Sequence, residues 1–214
     1  MIVPFRDAAE RERAAERVAE HLRAGGLIAY PTETVYGFGC ALVESALERL
    51  ADLKGRGADQ PFLLLVRGAE ETPGLAWTDA ARRLAAAFWP GPLTLALRAE
   101  PGAYPARVVS AEGTVAVRAS PHPAVWALLD ALDAPLTSTS VNLPGSRPAR
   151  SAAEAAAVIR ALNAPPELWL LDGGTLPASP PSTIVTCAGE RPRVLRVGAI
   201  GVDALRTVVE GIDD

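Results

Sequence analysis

The chain reads as an α/β protein: one mixed, twisted sheet with flanking helices. Three observations predict this. Short apolar runs alternate with helical patterns along the whole length, the signature of strands and helices that interleave. One of those runs, Phe62–Val66, is apolar at every position, as expected for a strand covered on both faces. The composition is 49% hydrophobic but only 5% aromatic, which implies an aliphatic core. At 22.3 kDa, residues 1–214 are expected to form one domain, burying roughly 70% of the unfolded surface.

The elements follow in order. Residues 7–24 form a charged amphipathic helix with Val18 and Leu22 one turn apart, stopped by Gly25-Gly26. Leu27–Tyr30 is a short strand broken by Pro31. Ser45, with Glu48 three residues on, reads as a capping box that opens a helix ending at Lys54-Gly55. After strand 62–66, Thr78 caps a helix to Phe88, and Trp89-Pro90-Gly91-Pro92 turns into strand 93–98. Strand 114–118 alternates at Val115 and Val117, and a helix with Pro123 in its first turn runs to Leu132. Strand 135–138 leads into a polar turn. Ser151 and Glu154 suggest a second capping box for a helix to Leu162. Strands 168–171, 182–186 and 193–196 close the sheet, and Asp203 begins a last short helix. Residues 173–181, rich in Gly and Pro, read as a loop suited to act as a lid.

Composition excludes several function classes. No apolar run approaches the roughly 20 residues of a membrane span, and the first 25 residues do not read as a secretory leader, so the cytoplasm is the expected location. Two cysteines and two histidines give no disulfide framework and no metal-ligand spacing. Cys40 reads as a small buried apolar residue. Net charge is −4, which disfavours tight stand-alone RNA binding. A phosphate loop ending in Gly-Lys-Ser/Thr, a dinucleotide-binding glycine fingerprint and a zinc-deaminase signature are all missing.

Four polar clusters sit at strand ends. Lys54 is the only lysine beside 20 arginines, and Lys54-Gly55-Arg56-Gly57 places a point charge and a planar fork of donors on backbone that a phosphate can approach. A helix ending in a basic turn would look the same. Residues 30–37, Tyr-Pro-Thr-Glu-Thr-Val-Tyr-Gly, offer two hydroxyls and a carboxylate to an amino-acid-sized ligand, although Thr32 and Thr34 would also serve the turn backbone. Arg118 leaves an apolar strand and needs a carboxylate, from the protein or from a ligand. Thr137-Ser138-Thr139-Ser140-Val141-Asn142 packs more polarity than a turn requires and suits phosphate or ribose.

Taken in order, these clusters resemble the YrdC-like family, the threonylcarbamoyl-AMP synthases. The matching segments are residues 31–37, the Lys54-x-Arg56 pair, residues 89–94, residues 115–118 with His122-Pro123, residues 138–143, Asp172-Gly173-Gly174, residues 182–185 and residues 195–198. The resemblance implies an α/β fold with a concave, positively charged cavity. It also implies a nucleotidyltransferase that converts L-threonine, bicarbonate and ATP, normally with Mg²⁺, to threonylcarbamoyl-AMP and pyrophosphate. The product would serve tRNA threonylcarbamoyladenosine modification by a downstream transferase complex, with at most weak tRNA contact by this chain and no membrane.

Carried over residue by residue, the threonine side would be Thr34, Arg118, Ser138 and Ser182. The ATP side would be Lys54, Arg56, Thr114, Ser140, Asn142 and Arg196, with Lys54 and Arg56 catalytic and no metal held by the protein itself. Three departures bear on amino-acid specificity: Leu65 where part of the family has histidine, Ser140-Val141-Asn142 for Ser-Ala-Asn, and Pro181 for the Glu of Glu-Ser-Thr. In length the chain matches the family's short form, without the extra C-terminal domain of the long form. Two other functions fit the same residues: an RNA-binding or regulatory module on this fold, and a paralogue that adenylates a different carbamoyl acceptor.

Overall fold

The computed structural model describes residues 1–57 and 60–213. Ten strands form one mixed sheet: β1 (Ile2–Pro4), β2 (Ile28–Pro31), β3 (Tyr36–Gly39), β4 (Leu63–Leu65), β5 (Leu93–Arg98), β6 (Thr114–Arg118), β7 (Leu136–Ser140), β8 (Trp169–Asp172), β9 (Thr183–Thr186) and β10 (Arg193–Arg196). Their order is β1-β8-β2-β3-β7-β4-β6-β5-β9-β10. Pairs β1/β8, β2/β8, β4/β6 and β5/β9 are parallel, and the other five are antiparallel.

Six helices flank the sheet: α1 (Ala8–Arg23), α2 (Glu44–Lys54), α3 (Asp79–Phe88), α4 (Pro123–Leu132), α5 (Ala152–Ala161) and α6 (Val202–Arg206). Strand periodicity divides their work. Leu64 of β4, Val115 and Val117 of β6 and Leu93, Leu95 and Leu97 of β5 join the main core with Leu47 and Leu50 of α2 and Leu84 of α3. Leu65, Leu136 and Tyr30 join a second core with Val18 and Leu22 of α1 and Val125, Leu128 and Leu129 of α4. Helices α1 and α4 thus cover only one end of that second face. Beyond it, Leu63, Ala116, Arg118, Thr94 and Ile184 line a cavity instead of a core.

Most elements form for the reasons read from sequence. Thr78 caps α3 by accepting from Ala81 N and Ser151 caps α5 from Glu154 N, whereas Asp7, read as the first residue of the opening helix, stands just before α1 and caps it by accepting from Glu10 N. Three expectations need correction. Helix α2 starts at Glu44 behind Val43, with no side-chain cap. Ser45 is not the cap, because Glu48 turns outward and its Oε1 accepts from Arg107 Nε at 2.8 Å. At α5 only half of the box forms, since Glu154 Oε2 accepts from Arg150 N, one residue before the cap. The segment 36–39 extends as strand β3 beyond the polar turn, and the N-terminus adds β1 beside β8.

Both thiols are buried, and burial pushes Cys40 up to about 11 and Cys187 to about 12, so neither is a ready nucleophile. Among the described residues no helix is long and apolar enough to cross a membrane.

Candidate active site

The cavity has a volume of about 510 Å³ and is floored by strands from β3 across to β10. Those six inter-strand steps of about 4.8 Å would span roughly 29 Å on a flat sheet, so the sheet must curl for both ends to line one cavity. Five arginines line it (Arg56, Arg118, Arg147, Arg150 and Arg196), and no carboxylate does among the described residues.

Arg118 lies at the end of β6 and is 4% exposed. Its Nη1 forms an ion pair with Glu33 Oε1 at 3.5 Å, without a hydrogen bond, and its Nε is buried with no partner. Glu33 is steadied by Ser120, whose hydroxyl donates to Oε2. The hydroxyls around Arg118 are buried too. Thr34 and Thr32 pair at 3.2 Å, Ser182 and Thr94 at 2.9 Å, and Ser138 stands on β7. Arg196 donates Nε and Nη2 to Ser182 O at 3.2 and 2.9 Å. Burial and then the positive charge of Arg118 hold the Arg196 guanidinium below its usual range. Arg56 donates to the carbonyls of Gln60 and Pro61 and lies over the Phe62 ring at 5.3 Å.

Of the ten residues expected at the site, Thr34, Arg56, Arg118, Ser138, Ser140, Ser182 and Arg196 line the cavity together. Lys54 and Asn142 stand behind its wall. Lys54 Nζ donates to Ser140 O at 2.9 Å, Asn142 O at 2.8 Å and Asn142 Oδ1 at 3.1 Å, which uses all three ammonium protons. Asn142 also accepts from Ser140 Oγ at 2.6 Å and donates to Leu143 O and Ser146 O. The lone lysine is therefore the staple of the Ser140–Asn142 turn. Thr114 lies in a separate hollow beside Arg98 and Thr186, bonded to Ser110 at 2.9 Å. Of the three departures, only Pro181 reaches the cavity. Leu65 packs in the second core and Val141 in the main one.

Arg147 and Arg150 line the cavity without having been expected there, and Thr139 and Thr94 line it from segments singled out in sequence but given no individual role. In sequence, nothing separates the two arginines from the other eighteen. Four buried side-chain atoms have no hydrogen-bond partner among the described residues: Glu33 Oε1, Arg118 Nε, Thr139 Oγ1 and Arg150 Nε. Three belong to cavity-lining residues and the fourth to Glu33, the ion-pair partner of Arg118. Burying such groups unpaired is costly, so their gathering at one cavity marks where a polar ligand completes the structure.

The loop over the cavity is pinned at both ends. Tyr36 Oη accepts from Gly173 N at 3.0 Å and donates to Gly174 O at 2.8 Å. Gly173 presses so closely on Pro31 that a Cβ there would meet the ring at 2.4 Å. At the far end Ala199 N donates to Pro181 O at 2.9 Å. Between these ends Ser179 and Pro181 face the cavity.

The family model for the Sua5/YciO/YrdC domain, described as telomere recombination, matches residues 20–198. The chain belongs to this family. It is 32% identical over 196 residues to the threonylcarbamoyl-AMP synthase of Bacillus subtilis, covering 90% of this chain and 56% of that protein. It is 36% identical over 185 residues to the threonylcarbamoyl-AMP synthase of Thiobacillus denitrificans, covering 85% of this chain and 95% of that one. The structure of Pyrococcus abyssi Sua5 complexed with L-threonine superposes with a TM-score of 0.89 at 31% identity, over 100% of this chain and 62% of that one. The chain thus spans little more than half of two of these relatives and nearly all of the third.

Proposed function

We propose that this chain is an L-threonylcarbamoyladenylate synthase. It condenses L-threonine with bicarbonate to a carbamate, releasing water and the surplus ammonium proton to solvent, and then adenylates that carbamate with ATP, releasing pyrophosphate. The observation that carries the reading is the arginine-lined cavity, three of whose lining residues bury a polar atom without a hydrogen bond among the described residues, in a chain of this family. Such a site has no use for a neutral ligand and is too small for a folded macromolecule.

The nucleophile, a carbamate oxygen, is already anionic, and the bond that breaks is between the α-phosphorus and the bridging oxygen of pyrophosphate. Catalysis is then positioning and charge stabilisation rather than proton abstraction. Arg118 takes the threonine carboxylate, with Thr34, Ser138 and Ser182 as neighbouring hydroxyls. Arg56, Ser140 and Arg196 face the nucleotide, and Lys54 and Asn142 hold Ser140 in place. Thr114, away from the cavity, contributes only through the end of β6. The strap 177–181 excludes water from carbamate and mixed anhydride, both of which hydrolyse.

Mg²⁺ fits this site as a companion of ATP. No cluster of three metal-ligating side chains occurs among the described residues, so phosphate oxygens and water would hold the ion, with Thr139 Oγ1 as an available neutral oxygen. The ion would supply charge neutralisation on the phosphates. The product would pass to a separate threonylcarbamoyl transferase in the cytoplasm, with weak tRNA contact by this chain.

The test is pyrophosphate release with each substrate omitted in turn, and with each amino acid replacing threonine. Strict dependence on threonine, bicarbonate and ATP is expected. A better amino acid than threonine would favour the paralogue reading, which Pro181 and the apolar Leu63, Ala116 and Ile184 in the lining support. RNA binding without any turnover would favour the regulatory one.

A further inference from the structure

Arg118 is buried with its donors uncommitted. Its guanidinium makes no hydrogen bond among the described residues, and its one ion pair there, with Glu33 Oε1 at 3.5 Å, is too long to take a proton from the fork. A counter-ion so placed offsets the charge of a buried guanidinium and leaves the N–H groups to a ligand. Arg118 is also the one cavity-lining arginine paired with a carboxylate among the described residues.

Glu33 is fixed in this place from two sides. It sits in the turn 32–35, where Thr32 Oγ1 accepts from Thr34 N and Val35 N, both at 3.3 Å, and donates to Val35 O at 2.7 Å. Its Oε2 accepts from the hydroxyl of Ser120, two residues past Arg118 and 1% exposed. That hydroxyl accepts in turn from His122 N at 3.2 Å, and His122 caps α4 through Nδ1. Glu33 Oε1 remains buried with no hydrogen-bond partner. Thr32, Thr34 and Val35 line the cavity and Glu33 does not, so its charge acts on a ligand through the field rather than by contact.

Together Arg118 and Glu33 carry no net charge. A plain carboxylate bound at Arg118 leaves a net negative charge in a buried place, whereas an amino-acid zwitterion leaves none. We infer that Glu33 is a specificity-determining residue: its carboxylate, fixed beside Arg118, selects a ligand that brings an ammonium group with its carboxylate over one that brings the carboxylate alone. Ser120 is then the positioning residue for Glu33. The inference rests on the proposed placing of the threonine carboxylate at Arg118 and gives that placing a reason to exclude simple acids.

The probes are L-threonine and 3-hydroxybutyrate, which is threonine without its amine, titrated calorimetrically into the intact protein in separate runs. The wild type should bind threonine more tightly by roughly tenfold or more, on the scale of one uncompensated charge in a partly buried site. Glu33→Gln keeps an acceptor for Ser120 but removes the charge, and should narrow that ratio roughly tenfold. Glu33→Asp keeps the charge and should preserve most of the ratio. A structural defect would weaken both ligands together, so an unchanged ratio in folded Glu33→Gln overturns the inference. A ratio that collapses equally in Glu33→Asp and Glu33→Gln overturns it too, since charge would not be the cause. A wild type that binds 3-hydroxybutyrate as tightly as threonine overturns it without any variant. A Glu33-dependent ratio in a protein that never releases pyrophosphate from ATP would overturn the synthase reading and leave this selection standing.

Discussion

Replacing Lys54 with methionine separates two roles for the one lysine. If the ammonium touched phosphate directly, the change would slow chemistry and leave the fold intact. In the structure it holds Ser140 O, Asn142 O and Asn142 Oδ1 instead. Methionine fills a similar volume but removes the ammonium donor from two main-chain carbonyls, and leaves Asn142 Oδ1 with only its bond from Ser140 Oγ. A stranded acceptor costs about 1–3 kcal/mol when fully buried, and Lys54 is only partly buried, so about 2–3 kcal/mol in total is the reasonable sum. For a protein of this size that is a fall in Tm of roughly 5–10 °C. The loosened turn carries Ser140 into the cavity, so the KM for ATP should rise roughly tenfold or more while threonine affinity holds. Calorimetric melting and steady-state pyrophosphate release measure the two effects. An unchanged Tm with kcat down about 100-fold would refute the staple and restore Lys54 as a direct phosphate ligand.

Three further outcomes follow from the same geometry. Arg118→Lys should cost about 1.5–3 kcal/mol of threonine affinity, because a point charge cannot reproduce a bidentate grip, with ATP affinity little changed; the reverse pattern in binding titrations would exchange the two ends of the cavity. Burial first, and then the charge of Arg56, bring the Lys54 pKa from 10.5 down to about 8, so activity should fall as pH rises through about 8, when the neutral amine has two protons for three acceptors. Between those two values the unfolded chain holds the proton more tightly, so this group makes stability rise with pH; the loss of activity is local, and a flat rate profile to pH about 9.5 with unchanged circular dichroism would sink it. Pyrophosphate release should need no tRNA, and tRNA affinity should be weak and steeply salt-dependent; turnover that required tRNA would move the RNA-binding reading ahead.

Much of the fold was legible because it rests on local rules. The caps at Thr78 and Ser151, the proline at the start of α4 and the apolar run of β4 are each decided by a few neighbouring residues. What escaped notice depends on distant partners. Strand β3 is Tyr-Gly-Phe-Gly, a poor strand former by composition. Its glycines answer to β7, since a Cβ on Gly39 would meet Thr137 O at 2.3 Å and one on Gly37 would meet Ser138 Oγ at 2.9 Å. Strand β1 is three residues long and exists because β8 pairs with it, 168 residues away in register at Ile2 and Leu170. Of the residues expected at the site, Thr34, Arg118, Ser138 and Ser182 line one cavity with Arg56, Ser140 and Arg196, whereas Lys54 bonds to Ser140 and Asn142 behind its wall, because spacing cannot tell whether a lysine faces a cavity or a carbonyl.

The net charge of −4 misleads about this cavity, and the reason is where the acids stand. Asp172 pairs with Arg6, Glu16 with Arg23, Glu48 with Arg107, and Glu71, Asp130 and Asp133 all with Arg67, every one of them outside the lining. Among the described residues Arg56, Arg150 and Arg196 of the cavity lean on neutral carbonyls, at Gln60, Pro61, Leu176 and Ser182, and only Arg118 pairs with a carboxylate, Glu33. Carbonyls orient a guanidinium without neutralising it, so the positive potential is kept for the ligand. Recessing that potential in a concave site, rather than spreading it over a face, also separates two ligand types. A small polyanion can enter and meet several cations at once. The backbone of a folded RNA meets an acidic exterior first. The arrangement favours an enzyme that acts on nucleotides and releases its product over one that holds RNA while it works.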